Sequence, residues 1–120
     1  MGRSKLGKSL ALEKCKPCKG ETSPLTIEEA AIYTSFISEE WDVLDGKKLQ
    51  RIFTFRNFLR SMLLVNGLAY LAEQEGHHPD IVISYDRVVV DFTTHAVGGL
   101  SKNDFIMAAK VDAMVLKEPI

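Results

Sequence analysis

Cysteine is scarce in this chain: two residues in 120, both in the run Cys15-Lys16-Pro17-Cys18. Structural zinc takes four ligands, and no second Cys or His pair lies near this one. A thioredoxin-like redox pair belongs at a helix start inside a βαβ pattern. Here the motif sits in a leader rich in Lys, Pro and Gly. Cys15 and Cys18 therefore read as reduced thiols of a surface segment, with a metal shared between subunits or a redox switch as the alternatives. Long apolar runs are also missing, so nothing reads as a membrane span. The start, Met1-Gly2-Arg3-Ser4-Lys5-Leu6-Gly7-Lys8, is basic but no apolar stretch follows it, which does not fit a secretory signal. Leu6 stands where N-myristoylation wants Ser or Thr. An excess of either charge is absent too. Fifteen Lys and Arg face sixteen Asp and Glu, for a formal net charge of −1. Such a balance gives no electrostatic reason to expect a nucleic acid or an anionic membrane as partner. A cytoplasmic home is the expectation.

The length suits one domain, whose core is modest because a chain of this size buries only about two-thirds of its unfolded surface. Self-association would help it. Residues 1–24 read as a flexible leader carrying the CxxC, and residues 25–120 as a single folded domain. Thr26 followed by Glu29 is a capping box, so a helix starts there and runs to near Ser38. Trp41-Asp42-Val43-Leu44, the turn signal Asp45-Gly46 and the alternating run from Lys47 to Phe55 predict a hairpin. Leu49, Arg51, Phe53 and Phe55 fall on one of its faces; Gln50, Ile52 and Thr54 fall on the other. Asn57 caps a second, widely apolar helix that ends at Gly76. Gly67 inside it is costly and suggests a close contact. Ile81 to Tyr85, a turn at Asp86-Arg87, and Val88 to Thr94 make a second hairpin. After Gly98-Gly99, Ser101 and Asp104 open the last helix. The predicted class is α+β: a two-layer sandwich of a four-stranded antiparallel sheet with three helices on one face. Its order is helix, strand, strand, helix, strand, strand, helix.

All three histidines lie between residues 77 and 95. His77 and His78 follow the second helix, and His95 ends the second hairpin. A helix end and a strand end can meet at one rim of a sheet, which would bring the imidazoles into one pocket. Glu73 lies about one helical turn before His77. Asp104 lies in the first turn of the last helix, where an acid is also favoured for purely structural reasons. Taken without further context, three histidines would also suit a metal site. Adjacent histidines in an extended segment point to opposite sides, however, so His77 and His78 would rarely share an ion.

Glu73, His77-His78-Pro79, Tyr85, His95 and Asp104 stand in an order and spacing that resemble the pterin-4a-carbinolamine dehydratases. The segment Thr93-Thr94-His95-Ala96-Val97-Gly98-Gly99-Leu100-Ser101 is similar to the family's Thr-His…Gly-Leu-Ser stretch, and the likeness spans roughly residues 25–116. Gly76 and Ala96 depart from it, standing where many members carry polar or acidic residues. The resemblance implies a hydro-lyase that removes water from a 4a-hydroxytetrahydropterin to give the quinonoid dihydropterin, within tetrahydrobiopterin recycling. It implies a homodimer or homotetramer. No cofactor or metal is expected, since no electrons leave for an outside acceptor. An imidazole, with its reference pKa near 6.5, can give or take the protons involved. His77 and His95 are assigned as the proton-transfer pair, with Glu73 and Asp104 orienting them. Substrate contacts are assigned to His77, His78, Pro79, Thr94, His95, Ala96 and Val97. The competing expectation is a non-catalytic interaction protein of the same fold, acting as a dimerisation or assembly partner or a transcriptional coactivator.

Overall fold

A computed structural model describes residues 5–17 and 23–116. The described elements are α1 (Lys5–Ala11), α2 (Ile27–Thr34), β1 (Asp42–Leu44), β2 (Lys48–Thr54), α3 (Phe58–Glu75), β3 (Asp80–Ser84), β4 (Arg87–Phe92), a 3₁₀ turn (His95–Val97) and α4 (Lys102–Leu116). The strands form one antiparallel sheet in the order β1-β2-β4-β3. Cross-strand pairing puts Arg51, Val90 and Ile81 in one row, and Phe53, Val88 and Ile83 in another. These rows turn toward the helices, and Phe53, Val88 and Val90 are buried there with Leu49 and Phe92. The opposite face carries the row Ile52, Val89 and Val82, of which Ile52 and Val82 are exposed. Period-two alternation alone decides this partition.

Local chemistry sets the ends of the helices. Thr26 and Glu29 complete the capping box that starts α2. That helix stops at Thr34, earlier than its apolar stripe predicts. The Thr34 hydroxyl donates back to the Ala30 carbonyl at 2.7 Å, and that of Ser35 to Ile32 at 2.6 Å, which competes with further helical bonding. Asn57 accepts the Arg60 N–H at 3.0 Å to cap α3, and Gly76 ends it at φ +66°. A left-handed residue there is nearly free for glycine and costly for others. Gly67 has a packing reason: a Cβ on it would lie 2.9 Å from Met114 Sδ of α4. The second hairpin turns one residue earlier than expected. Ser84 pairs with Arg87, so Tyr85 and Asp86 form the loop, with Tyr85 at φ +43° and stacked on Phe58. β4 ends at Phe92 rather than Thr94, because the Thr94 backbone leaves the ladder to pair with Gly99, its N–H donating to the Gly99 carbonyl at 2.9 Å.

One expectation is overturned. The reading of residues 1–24 as a leader lacking structure fails at its first half, where α1 forms and packs on α4 as a fourth helix. Leu10 is only 3 % exposed. Lys110 Nζ donates to the Ala11 carbonyl at 2.7 Å, and Lys102 pairs with Glu13 at 2.8 Å. Two helical turns are too few for apolar periodicity to register in sequence. Cys18 lies outside the described residues.

α4 is the central helix, touching β2, β4, α1, α2 and α3. Its buried Asp112 gathers three donors: the Ser38 N–H at 2.8 Å, Trp41 Nε1 at 2.8 Å and the Arg51 guanidinium at 2.7 Å. Arg51 in turn lies over the Phe53 ring, 4.4 Å from its centroid. Asp112→Ala leaves that guanidinium buried without its carboxylate. We expect a loss of about 3–5 kcal/mol in urea unfolding, the usual cost of breaking a buried pair on one side.

Candidate active site

Three chain segments meet at one rim of the sheet. The left-handed Gly76 reverses the chain after α3 and delivers His77 toward α4. Thr94 leaves the end of β4 toward the same point. Asp104 rises from the first turn of α4 and is fully buried. Its Oδ1 meets His77 Nε2 at 2.6 Å. Its Oδ2 accepts the Thr94 hydroxyl at 2.8 Å and the Ser101 N–H at 2.9 Å. The Ser101 hydroxyl then stands 2.8 Å from that of Thr94. Since Thr94 gives its hydrogen to Asp104, Ser101 is the donor in that last bond. A carboxylate that accepts everywhere else also accepts from His77, so we place the ring proton on Nε2. In the neutral imidazole this makes Nδ1 the free acceptor. The ring lies nearly parallel to Phe92, with centroids 6.2 Å apart and planes at 11°.

His77, His78 and His95 all line one pocket of about 530 Å³, together with Thr93, Thr94 and Ala96. His77 is largely covered, whereas His78 and His95 are exposed. His78 turns outward and bonds Glu73 through Nε2. The structure distributes the residues singled out in the sequence unevenly around this pocket. Glu73 is paired with His78 on the solvent side and does not line the pocket, because one turn back along α3 carries it away from Asp104. Asp104 serves His77. Val97 is buried and is not among the lining residues, since a 3₁₀ turn rotates each residue by about 120° and carries Val97 off the face of His95. Pro79 begins the approach to β3 and is not among the lining residues, and Tyr85 sits in the far hairpin loop. Among the described residues no group of three or more His, Cys, Asp or Glu side chains is gathered as a metal site would be.

The structure also brings in residues that no sequence signal singles out. Glu75, its side chain 5 % exposed, accepts the Cys15 N–H at 2.9 Å and lies 3.5 Å from Lys14 and 3.8 Å from Lys110. Asn103 accepts the Lys16 N–H at 3.0 Å and donates to the Lys16 carbonyl at 2.5 Å. Cys15, Lys16 and Pro17 thereby join the pocket wall. Their tethers are 60 and 87 positions distant in sequence, and no local pattern encodes such contacts.

The fold and this pocket define a class of small α+β proteins whose imidazoles line a rim cleft. Residues 23–114 match the family model described as pterin 4 alpha carbinolamine dehydratase, and the chain belongs to that family. A Nitrosomonas eutropha relative named "Putative pterin-4-alpha-carbinolamine dehydratase" is 45% identical over 89% of this chain and 94% of its own length. A Nitrosomonas europaea protein of the same name is 46% identical over 84% and 88%. A crystal structure of a transcriptional coactivator/pterin dehydratase from Brucella melitensis superposes with a TM-score of 0.71 at 30% identity, covering 77% of this chain and 98% of that one. A pterin dehydratase-like RuBisCO assembly factor of the alpha-carboxysome shares the fold at a TM-score of 0.55 and 23% identity, over 63% of this chain and 89% of that one.

Glu75 gives a pH prediction. Burial pushes its carboxyl up, but the Cys15 N–H and the Lys110 and Lys14 ammoniums outweigh that and hold it below the usual value. A depressed folded pKa adds stability above the unfolded pKa and loses it as pH falls through the folded one. The stability advantage of wild type over Glu75→Gln, read by urea melts, should therefore shrink as pH drops from about 6 to about 3.

Proposed function

We propose that this protein is a 4a-hydroxytetrahydropterin dehydratase working by histidine general acid–base catalysis. The observation that carries the reading is the single pocket lined by His77, His78 and His95, with His77 fixed by a buried carboxylate. Its volume lies within the range of small-molecule sites. In the reaction the C4a–O bond breaks, the hydroxyl leaves as water after taking a proton, and N5 gives up its proton as the N5=C4a bond forms. One acid and one base suffice, and His77 and His95 are cast in these roles. Asp104 acts as the orienting group for His77. His78, Thr94 and Ala96 line the same pocket and are cast as substrate contacts, His78 at its solvent-facing edge. A place in tetrahydrobiopterin recycling and a cytoplasmic setting belong to the same reading. No helix of the described residues is long and apolar enough to cross a membrane.

To test it, the 4a-hydroxytetrahydropterin is generated enzymatically and quinonoid dihydropterin formation is followed with and without protein. Wild type should accelerate it. His77→Ala and His95→Ala should each lower kcat by about 10²- to 10⁴-fold with folding intact. Equal rates with and without wild type would instead favour an interaction protein of this fold.

A homo-oligomer is part of the proposal. The sheet face away from the helices exposes Ile52 and Val82 across Val89, and α3 exposes Phe58, Leu59 and Leu63. Apolar area of this kind on so small a domain suits a second copy. Analytical ultracentrifugation should find a dimer or tetramer in wild type. Charges introduced at both surfaces, Val82→Lys with Leu63→Lys, should shift it toward monomer.

A further inference from the structure

The family match begins at residue 23, yet Cys15, Lys16 and Pro17 line the same pocket as the three imidazoles. Four tethers hold this segment and the helix before it. Lys110 caps the end of α1, Lys102 pairs with Glu13, Glu75 accepts the Cys15 N–H, and Asn103 grips Lys16. The Asn103 contact has a special form. Its carboxamide oxygen and one of its N–H groups bind both polar groups of a single residue's backbone, as a neighbouring β-strand would. Pro17 adds to the constraint, since it biases Lys16 toward extended backbone and fixes its own φ. Residues 15–17 are thus ordered before any ligand arrives. Binding against them costs little further chain entropy.

The tethers also have telling places in sequence. Glu75 is two residues before His77, and Asn103 is one before Asp104. The His77–Asp104 pair that orients the imidazole is therefore flanked on both strands of the chain by the groups that hold the segment. We infer that residues 15–17 form a substrate-contacting wall of the pterin pocket, held by Asn103 and Glu75 as positioning residues, and that this wall governs retention of the pterin. The inference rests on the dehydratase reading and extends it to residues that precede the stretch matched by the family model. Pro17 has no proton to exchange, the Lys16 backbone is already engaged and the Cys15 thiol is turned to the Asn103 carbonyl at 3.7 Å, so the wall acts on binding and leaves proton transfer to the imidazoles.

The experiment uses the full chain and a tetrahydropterin lacking the 4a-hydroxyl as unreactive probe. With the probe bound to wild type, amide exchange at Cys15 and Lys16 should slow by about tenfold, as a wall closed by ligand requires. In turnover, Asn103→Ala should raise KM by about tenfold while kcat changes by less than about twofold, the pattern of lost ground-state binding. Pro17→Gly frees the segment without touching either tether, and should raise KM in the same sense even if Asn103→Ala folds poorly. Unchanged exchange with the probe bound, or a wild-type KM in the folded variants, overturns the wall. A wild type that neither turns over substrate nor binds the probe is a different result: it removes the dehydratase reading, and the wall with it.

Discussion

A carboxylate cut off from water has to find donors, and Asp104 finds them on three separate segments. His77 comes from the chain after α3, Thr94 from the end of β4, and Ser101 from the start of α4 itself. Leaving such a group unpaired would cost several kcal/mol. That penalty makes the convergence of the three segments a condition of folding. The pocket is a consequence, since the imidazole of His77 cannot satisfy Asp104 without standing at its wall. Asp112 lies eight residues further on, about two turns along and rotated by roughly 80°. It does for the first hairpin what Asp104 does for the second, collecting Ser38, Trp41 and Arg51. α4 is thus a buried helix with two polar anchors, one for the scaffold and one for the site.

This division explains why the three histidines differ. Only His77 is locked by a buried acceptor, which sets its tautomer and aims the opposite nitrogen. His78, next in the chain, turns away as extended backbone demands and takes the exposed Glu73 instead. His95 begins a 3₁₀ turn that is closed by the left-handed Gly98, so its place is fixed by backbone rather than by a carboxylate. One imidazole held by a charge and another by a turn have different freedom to move.

Much of the fold could be read from sequence because its signals are local. The Thr26–Glu29 box, the Asn57 cap, the Gly76 stop and the alternation in β2 each depend on residues within a few positions. The motif around His77 and His95 was legible for another reason: its order resembles a family. The failures share a physical cause. α1 is too short to show periodicity, and its stability comes from α4, nearly a hundred positions away. The pairing of Asp104 with His77 depends on how α3 ends relative to α4, which spacing does not specify. Glu75 and Asn103 act on backbone groups, and backbone leaves no mark in side-chain pattern.

The fold by itself does not separate catalysis from assembly, since one structural neighbour is described as a RuBisCO assembly factor and another as a coactivator and dehydratase together. The separation must come from the site. An interaction surface gains nothing from a histidine pinned to a buried aspartate at the back of a cleft. A helix-start acid alone would be satisfied by the Ser101 N–H and the Thr94 hydroxyl; the second oxygen of Asp104 is given to the imidazole. A chain that keeps this arrangement, and also folds its N-terminal segment against the same cleft, commits its stability to the interior of the pocket rather than to its outer faces. That commitment is what a ligand site requires, and it is why the assignment rests on Asp104 and its donors more than on the shape that surrounds them.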